Sequence, residues 1–321
     1  TIFEKNEEPG GMLRYGIPSY KLEKDLLAAE IDVIRELGVE IRCGVEIGKD
    51  ITIEELREQG YKGFYVAIGC QRGRKPGITG ENAKGTYAAV DFLREAGAKE
   101  SFALEGDVVV VGGGNAARIS SRCVDAKISM FCLEQRENMP ASKEEIAEAL
   151  EEGIELNCGW GPKEVLEEDG KVAGVVFKKC IRVLDEQGRF SPEYDEEQTV
   201  TIPCKHVIFS VGQAIEWGNM LDNLDLKRRP NGGALADKLT YQTSEPDIFV
   251  GGDVYTGPRF AIDAIAAGRE GAISLHRYVH ENCTLTIGRN RRDFVELDKN
   301  NISVESYDTS KRQIPAKADE K

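Results

Sequence analysis

The sequence has no C-x-x-C pair. Its eight cysteines, Cys43, Cys70, Cys123, Cys132, Cys158, Cys180, Cys204 and Cys283, are never closer than nine positions. That spacing excludes a ferredoxin-type iron–sulfur run, a local zinc knuckle and a vicinal redox dithiol. No apolar run approaches the ~18–20 residues that a membrane span requires. The opening stretch TIFEKNEEPGG carries neither the basic segment nor the apolar core of a signal peptide. Scattered thiols without such a leader read as reduced and mostly buried, so a cytoplasmic location is expected, with no membrane partner. Histidine is scarce: His206, His276 and His280. The last two lie four apart on one expected helix without a third ligand, so no metal site is expected. No G-x-S-x-G or other hydrolase pattern occurs. Basic residues are in deficit, 42 Lys and Arg against 56 Asp and Glu, for a net charge of −14. With the acids spread along the chain, nucleic acid is not an expected partner, because phosphate binding needs a local basic excess.

What is present is the balance of a soluble globular chain, 40% hydrophobic and 31% charged over 321 residues. That length exceeds the ~250–300 residues at which single cores stop growing, so two domains are expected. Strand and helix patterns alternate. Residues 1–4 end a strand, and a Gly- and Pro-containing loop runs to Pro18. Residues 21–37 place Leu22, Leu26, Ala29, Ile31, Val33, Ile34 and Leu37 at roughly helical spacing, with Gly38 at the C-cap position. Strands are predicted at 39–42, 61–68, 107–111, 127–134, 207–211 and 247–250. Helices are predicted at 53–59, after Gly114, near 143–152 and at 259–280, with hairpin-like pieces over 154–190. Alternation of this kind implies an α/β fold with parallel sheets.

The most informative segment is Asp107–Val111 (DVVVV) followed by Gly112-Gly113-Gly114-Asn115-Ala116-Ala117. A short β-branched run closed by G-x-G-x-x-A, with a helix to follow, is the pattern of a dinucleotide-binding turn. Its first glycine allows the tight turn, the second lets backbone approach a pyrophosphate, and the third, small residue lets helix pack on strand. Glu134 lies 22 positions after Gly112, close to the ~20 expected for the carboxylate that receives a ribose 2′-OH. A carboxylate there repels a 2′-phosphate, which favours NAD(H) over NADP(H); Arg136 softens the discrimination.

Pro9-Gly10-Gly11-Met12-Leu13-Arg14-Tyr15-Gly16-Ile17-Pro18 resembles the PGGxLxYGIP signature of the glutamate synthase small-subunit family. That family includes the flavoprotein parts of dihydropyrimidine dehydrogenase and ferredoxin-dependent transhydrogenase. Val66-Ala67-Ile68-Gly69, Met139-Pro140-Ala141-Ser142 and Gly251-Gly252-Asp253-Val254 extend the resemblance over about residues 1–280. It implies two Rossmann-like domains, an FAD-binding one over 1–100 and 235–281 with a nicotinamide domain, 101–234, inserted in it, and a C-terminal tail or linker over 282–321. It implies that Glu4 binds the adenosine ribose of FAD, and that Gly10, Gly11, Leu13 and Arg14 pass close to the flavin. Gly252 and Asp253 would meet its ribityl-phosphate region. Gly69 and Gly212 would sit in crossovers between domains.

The resemblance further implies an NAD(P)H-dependent flavin oxidoreductase subunit that feeds an iron–sulfur or amidotransferase-type partner. No catalytic nucleophile or general base is needed, because the cofactors carry the chemistry. Three departures from the family are visible. The family's first strand and its G-x-G-x-x-G loop are missing ahead of Thr1, so FAD holding is expected to be incomplete in this chain. Leu133-Glu134 stands where NADPH-using members carry an arginine pair. The helix after Gly114 looks short, with Arg118-Ile119-Ser120-Ser121 where the family usually shows a more apolar stretch containing Asp. Two alternatives stay open: the flavin subunit of another complex, and a non-catalytic nucleotide-binding remnant.

Overall fold

Four consecutive valines, Val108–Val111, are at most 3% exposed and form the middle of a five-stranded parallel sheet. In the computed structural model, which describes residues 1–98, 102–112, 126–139, 141, 143–289 and 313, the sheet has a reversed order. β5 (Thr86–Ala88) lies at one edge, followed by β12 (His206–Ser210), β6 (Val108–Gly112), β7 (Ile128–Cys132) and β8 (Glu155–Cys158). Side chains alternate across a strand, so a run of valines serves both faces at once. On one face Val109, Val111, Phe131, Val207 and Phe209 meet Val165, Val175 and Phe177. These last belong to an antiparallel meander of β9 (Trp160–Glu168), β10 (Lys171–Leu184) and β11 (Phe190–Pro203). Phe131 and Phe177 stack there with ring centroids 4.0 Å apart. On the other face Val108, Val110, Ile128, Met130 and Ile208 cluster with Phe92 and Ala149. Those two come from α4 (Ala89–Ala98) and α5 (Lys143–Glu151). Each fully buried side chain of this size contributes ~1.5–3 kcal/mol.

This insert is carried by a frame made of two separate parallel strand pairs. β1 (Ile2–Glu4) pairs with β2 (Ile41–Cys43), and β3 (Phe64–Val66) pairs with β14 (Ile248–Val250). Among the described residues no ladder joins one pair to the other. The frame's helices are α1 (Gly11–Tyr15), α2 (Lys24–Glu36), α3 (Ile53–Glu58), α6 (Asp253–Thr256) and α7 (Ala261–Val279). Its core gathers Ile53, Val66, Trp217, Leu226, Ile248 and Val250. A capping box of Thr52 and Glu55 starts α3 by satisfying two of its free N–H groups. Arg57 then ties α3 to the approach of β14 through two hydrogen bonds to Asp247, of 2.7 and 2.8 Å.

Among the described residues, insert and frame are joined by a ribbon and by side-chain contacts, one of them the Lys21–Glu145 ion pair at 3.0 Å. β4 (Arg72–Gly73) and β13 (Gln213–Ala214) form a short antiparallel ribbon that carries the chain out and back. Arg94 on α4 donates to Asn6 Oδ1 at 3.1 Å and lies over the Tyr15 ring, 5.0 Å from its centroid.

Several expectations are corrected in detail. The insert's sheet already contains Thr86–Ala88, ahead of the expected boundary at residue 101, because β12 leaves an edge that a three-residue strand can cover. Trp217 and Leu226 belong to the frame's core, so the return falls near Gly212 rather than at 235. The loop after Pro9 contains a helix, α1. The hairpin-like stretch extends to Pro203 as a third long strand. The periodic apolar residues of α2 are not an inner face: Leu27 alone is buried there, while Val33 is 59% and Leu37 80% exposed.

Tyr65 accounts for two glycines of the frame. A Cβ on Gly251 would lie 1.8 Å from Tyr65 Oη, and one on Gly271 would lie 2.1 Å from Tyr65 Cε2. The hydroxyl itself is buried without a hydrogen-bond partner among the described residues, and burial pushes its pKa up to about 12. Gly251→Ala is expected to cost ~1–3 kcal/mol by overpacking, read from the urea midpoint. Tyr65→Phe should recover part of that loss, since it removes the nearest atom. The same change should not rescue Gly271→Ala, where the clash is with ring carbon.

Candidate functional site

The insert's strand order reverses between β6 and β12: the chain proceeds from β6 to β7 and β8 on one side, while β12 and β5 lie on the other. In parallel α/β sheets the crevice beyond the strand C-termini at such a point is the ligand site. Gly112 occupies it. Its φ is +99°, and a Cβ would sit 2.3 Å from the Ser210 carbonyl oxygen of β12. Glycine is therefore required both by conformation and by the approach of the neighbouring backbone. Gly113, Gly114, Asn115 and Ala116 lie outside the described residues.

Glu134 stands two residues beyond β7, the strand next to β6, at the same end of the sheet. Its backbone carbonyl accepts from Gly159 N–H at 3.0 Å and from the Cys132 thiol at 3.6 Å, which fixes the turn. Among the described residues its carboxylate is recorded in no hydrogen bond or ion pair. Arg136 opens a short 3₁₀ turn, Arg136–Asn138, and is exposed. Cys132 and Cys158 are register partners on β7 and β8. Burial first, then the neighbouring Cys158, pushes the Cys132 thiol up to about 12, the opposite of an activated nucleophile.

A second set of predicted residues converges in the frame. Gly11 and Gly69 have φ of +50° and +66°, and a Cβ on either would lie 3.6 or 3.4 Å from Gln71 Nε2. Among the described residues the buried Gln71 Oε1 atom has no hydrogen-bond partner. Cys70 donates its thiol to the Asp253 carbonyl at 3.6 Å, which brings Gly69–Gln71 beside Gly252 and α6. Burial raises the Asp253 carboxyl above its ordinary value, and its Oδ1 accepts from Arg259 N–H at 3.1 Å. Gln71 was not singled out in the sequence; the available signal was a polar residue two positions after a strand-ending glycine.

The remaining predicted residues are placed less directly. Arg14 is turned inward: its Nε donates to Pro9 O at 3.0 Å and its Nη1 to Glu8 at 2.8 Å, so it braces the loop holding Gly10, and Leu13 N–H donates to Gly10 O. Lys24 donates to the carbonyls of Leu13 and Ile17, and burial and Arg14 lower its pKa. Glu4 ends β1, with Oε1 receiving Asn6 N–H and Nδ2–H at 2.8 and 2.6 Å. Gly212 lies on the connector and accepts from Arg74 N–H at 2.9 Å. A buried amide whose oxygen has no partner among the described residues, and whose nitrogen lies against two glycines, fits a flat, polar-edged ring system such as a flavin. Among the described residues no group of three or more His, Cys, Asp or Glu could hold a metal ion, and no helix is long and apolar enough to cross a membrane.

A family model described as pyridine nucleotide-disulphide oxidoreductase matches residues 10–268. The chain is 33% identical over 295 residues to the NADP(+)-dependent formate dehydrogenase subunit beta of Moorella thermoacetica, covering 88% of this chain and 41% of that protein. It is 32% identical over 301 residues to the glutamate synthase (NADPH) small chain of Halomonas elongata, covering 87% and 62%. The chain thus spans less than two thirds of either relative. Its fold is that of Mycobacterium tuberculosis FprA in complex with NADPH, at a TM-score of 0.69 and 16% identity over 86% of this chain and 77% of that one.

Gly112→Ala is expected to destabilise the protein by ~3 kcal/mol or more, combining a left-handed backbone with a backbone clash. Chemical denaturation measures it, and a shift under ~1 kcal/mol would mean that β12 does not crowd this position.

Proposed function

The chain belongs to the pyridine nucleotide-disulphide oxidoreductase family, and from that premise we propose an FAD-dependent oxidoreductase subunit that takes hydride from NAD(P)H and passes electrons to an iron–sulfur or amidotransferase-type partner. The observation that supports it most is Gly112 at the order reversal of the sheet with Glu134 at the end of the adjoining strand. The backbone at Gly112 leaves room for a pyrophosphate, and the uncommitted carboxylate of Glu134 accepts from a ribose hydroxyl. In the frame, Gly11, Gly69 and Gln71 would lie against the flavin, with Asp253 beyond them and Glu4 at the adenosine end. FAD supplies, when bound, a two-electron acceptor that can release electrons singly. The protein's part is to hold, orient and exclude water, and no side chain near Gly112 is required as a base.

Glu134 favours NAD(H), although both relatives' names carry the 2′-phosphorylated cofactor. Among the described residues that carboxylate has no cationic partner, and such a group repels the phosphate. Glu134→Arg is expected to move the ratio of NADH to NADPH affinity at least ~10-fold toward NADPH, the worth of one charge-assisted contact. An unchanged ratio would remove Glu134 from the ribose site.

A second reading, in which nicotinamide dinucleotide binds without flavin, is the alternative that a test must separate. The visible absorbance of the isolated protein separates the two. A flavin spectrum bleached by NADH supports the oxidoreductase, and a colourless protein that still binds NADH supports the binding-only reading.

A further inference from the structure

The connector ribbon forms one wall of an open cleft of ≈ 890 Å³. Arg72, Arg74 and Lys75 come from the outgoing segment, Glu216 and Trp217 from the returning one, and Arg228 from a turn that faces them. Four cations thus share the cleft with one carboxylate, on a chain whose net charge is −14. That carboxylate is engaged elsewhere, since Glu216 accepts from Lys5 at 3.1 Å. Lys75 donates to a carbonyl and an amide oxygen, of Glu81 and Asn82, which hold its position but leave its charge uncompensated. Among the described residues no carboxylate is recorded in an ion pair with Arg72, Arg74 or Arg228.

The walls are held independently of any ligand. Arg72 lies in register with Ala214, and Arg74 N–H donates to Gly212 O. Trp217, 9% exposed, donates its indole N–H to Gly232 O at 2.8 Å and so locks the returning segment to the Arg228 turn. Like charges gathered on a fixed scaffold repel one another until an anion joins them. Guanidinium groups present planar forks that match the oxygens of phosphate and carboxylate. The volume falls within the ~300–1,000 Å³ of small-molecule sites. None of the lining residues belongs to the Gly112 crevice or to the Gln71 cradle.

We infer that this cleft binds a small polyanion, a phosphate- or polycarboxylate-bearing molecule bridged by Arg72, Arg74 and Arg228, at a site separate from the nicotinamide crevice. The inference does not rest on the hydride-transfer reading. Isothermal titration of the protein at low ionic strength with sodium pyrophosphate, and separately with citrate, tests it. Saturable binding is expected that weakens with added salt and is unaffected by saturating NADH. Arg72→Ala and Arg228→Ala should each weaken it at least ~10-fold, whereas the exposed control Lys62→Ala should leave it unchanged. Tighter binding of pyrophosphate would assign the site to phosphate esters, and tighter binding of citrate to polycarboxylates. No saturable binding of either probe, displacement by NADH, or equal weakening by Lys62→Ala would overturn it.

Discussion

The close approach of β12 to the end of β6 is the constraint on which the rest of the insert depends. A strand buried on both faces can be followed by a crevice only if its neighbour on the far side of the order reversal crowds it without a side chain between them. Gly112 meets that demand against Ser210 O. Because β6 and β12 then lie in full register from Val108 opposite His206 to Gly112 opposite Ser210, the valines are apportioned to the two faces. The meander and the helices follow from that division. The stacked Phe131 and Phe177 and the burial of Phe92 are consequences of which face each strand residue receives.

The frame repeats half of this logic. β3 is followed three residues on by Gly69 and β12 two residues on by Gly212, and β1 ends in an acid, Glu4, as β7 leads to Glu134. In the insert a buried, glycine-terminated strand lies between the two elements. In the frame no described strand does, and β1 and β3 each pair on one side alone.

The buried strand at the insert's centre was legible in the sequence because its signal, a β-branched run, is local. The helical period of α2 was equally legible, yet it described a helix and not a burial, which depends on what lies opposite. Thr86–Ala88 was missed as a strand because three residues carry no period, and only the free edge of β12 makes them one. Arg14 lies within the signature loop, and its inward turn toward Pro9 and Glu8 is a matter of side-chain geometry that spacing cannot express. Gln71 becomes noticeable only once Gly11 and Gly69, 58 positions apart in sequence, are seen on the same side of it.

Net charge is the reading with the least spatial content. At −14 the chain repels polyanions at long range, and the exclusion of nucleic acid drawn from it concerns that far field. Over distances beyond ~8–10 Å, however, salt screens the far field almost entirely. An anion inside a cleft responds to the charges lining it. At the connector these are guanidinium groups set in order by backbone pairing, with the lining carboxylate of Glu216 drawn off by Lys5. The segment that joins frame to insert is therefore basic where the molecule as a whole is acidic. Its charge is placed by β4 and β13 rather than by composition, so a sum over the sequence could not have located it.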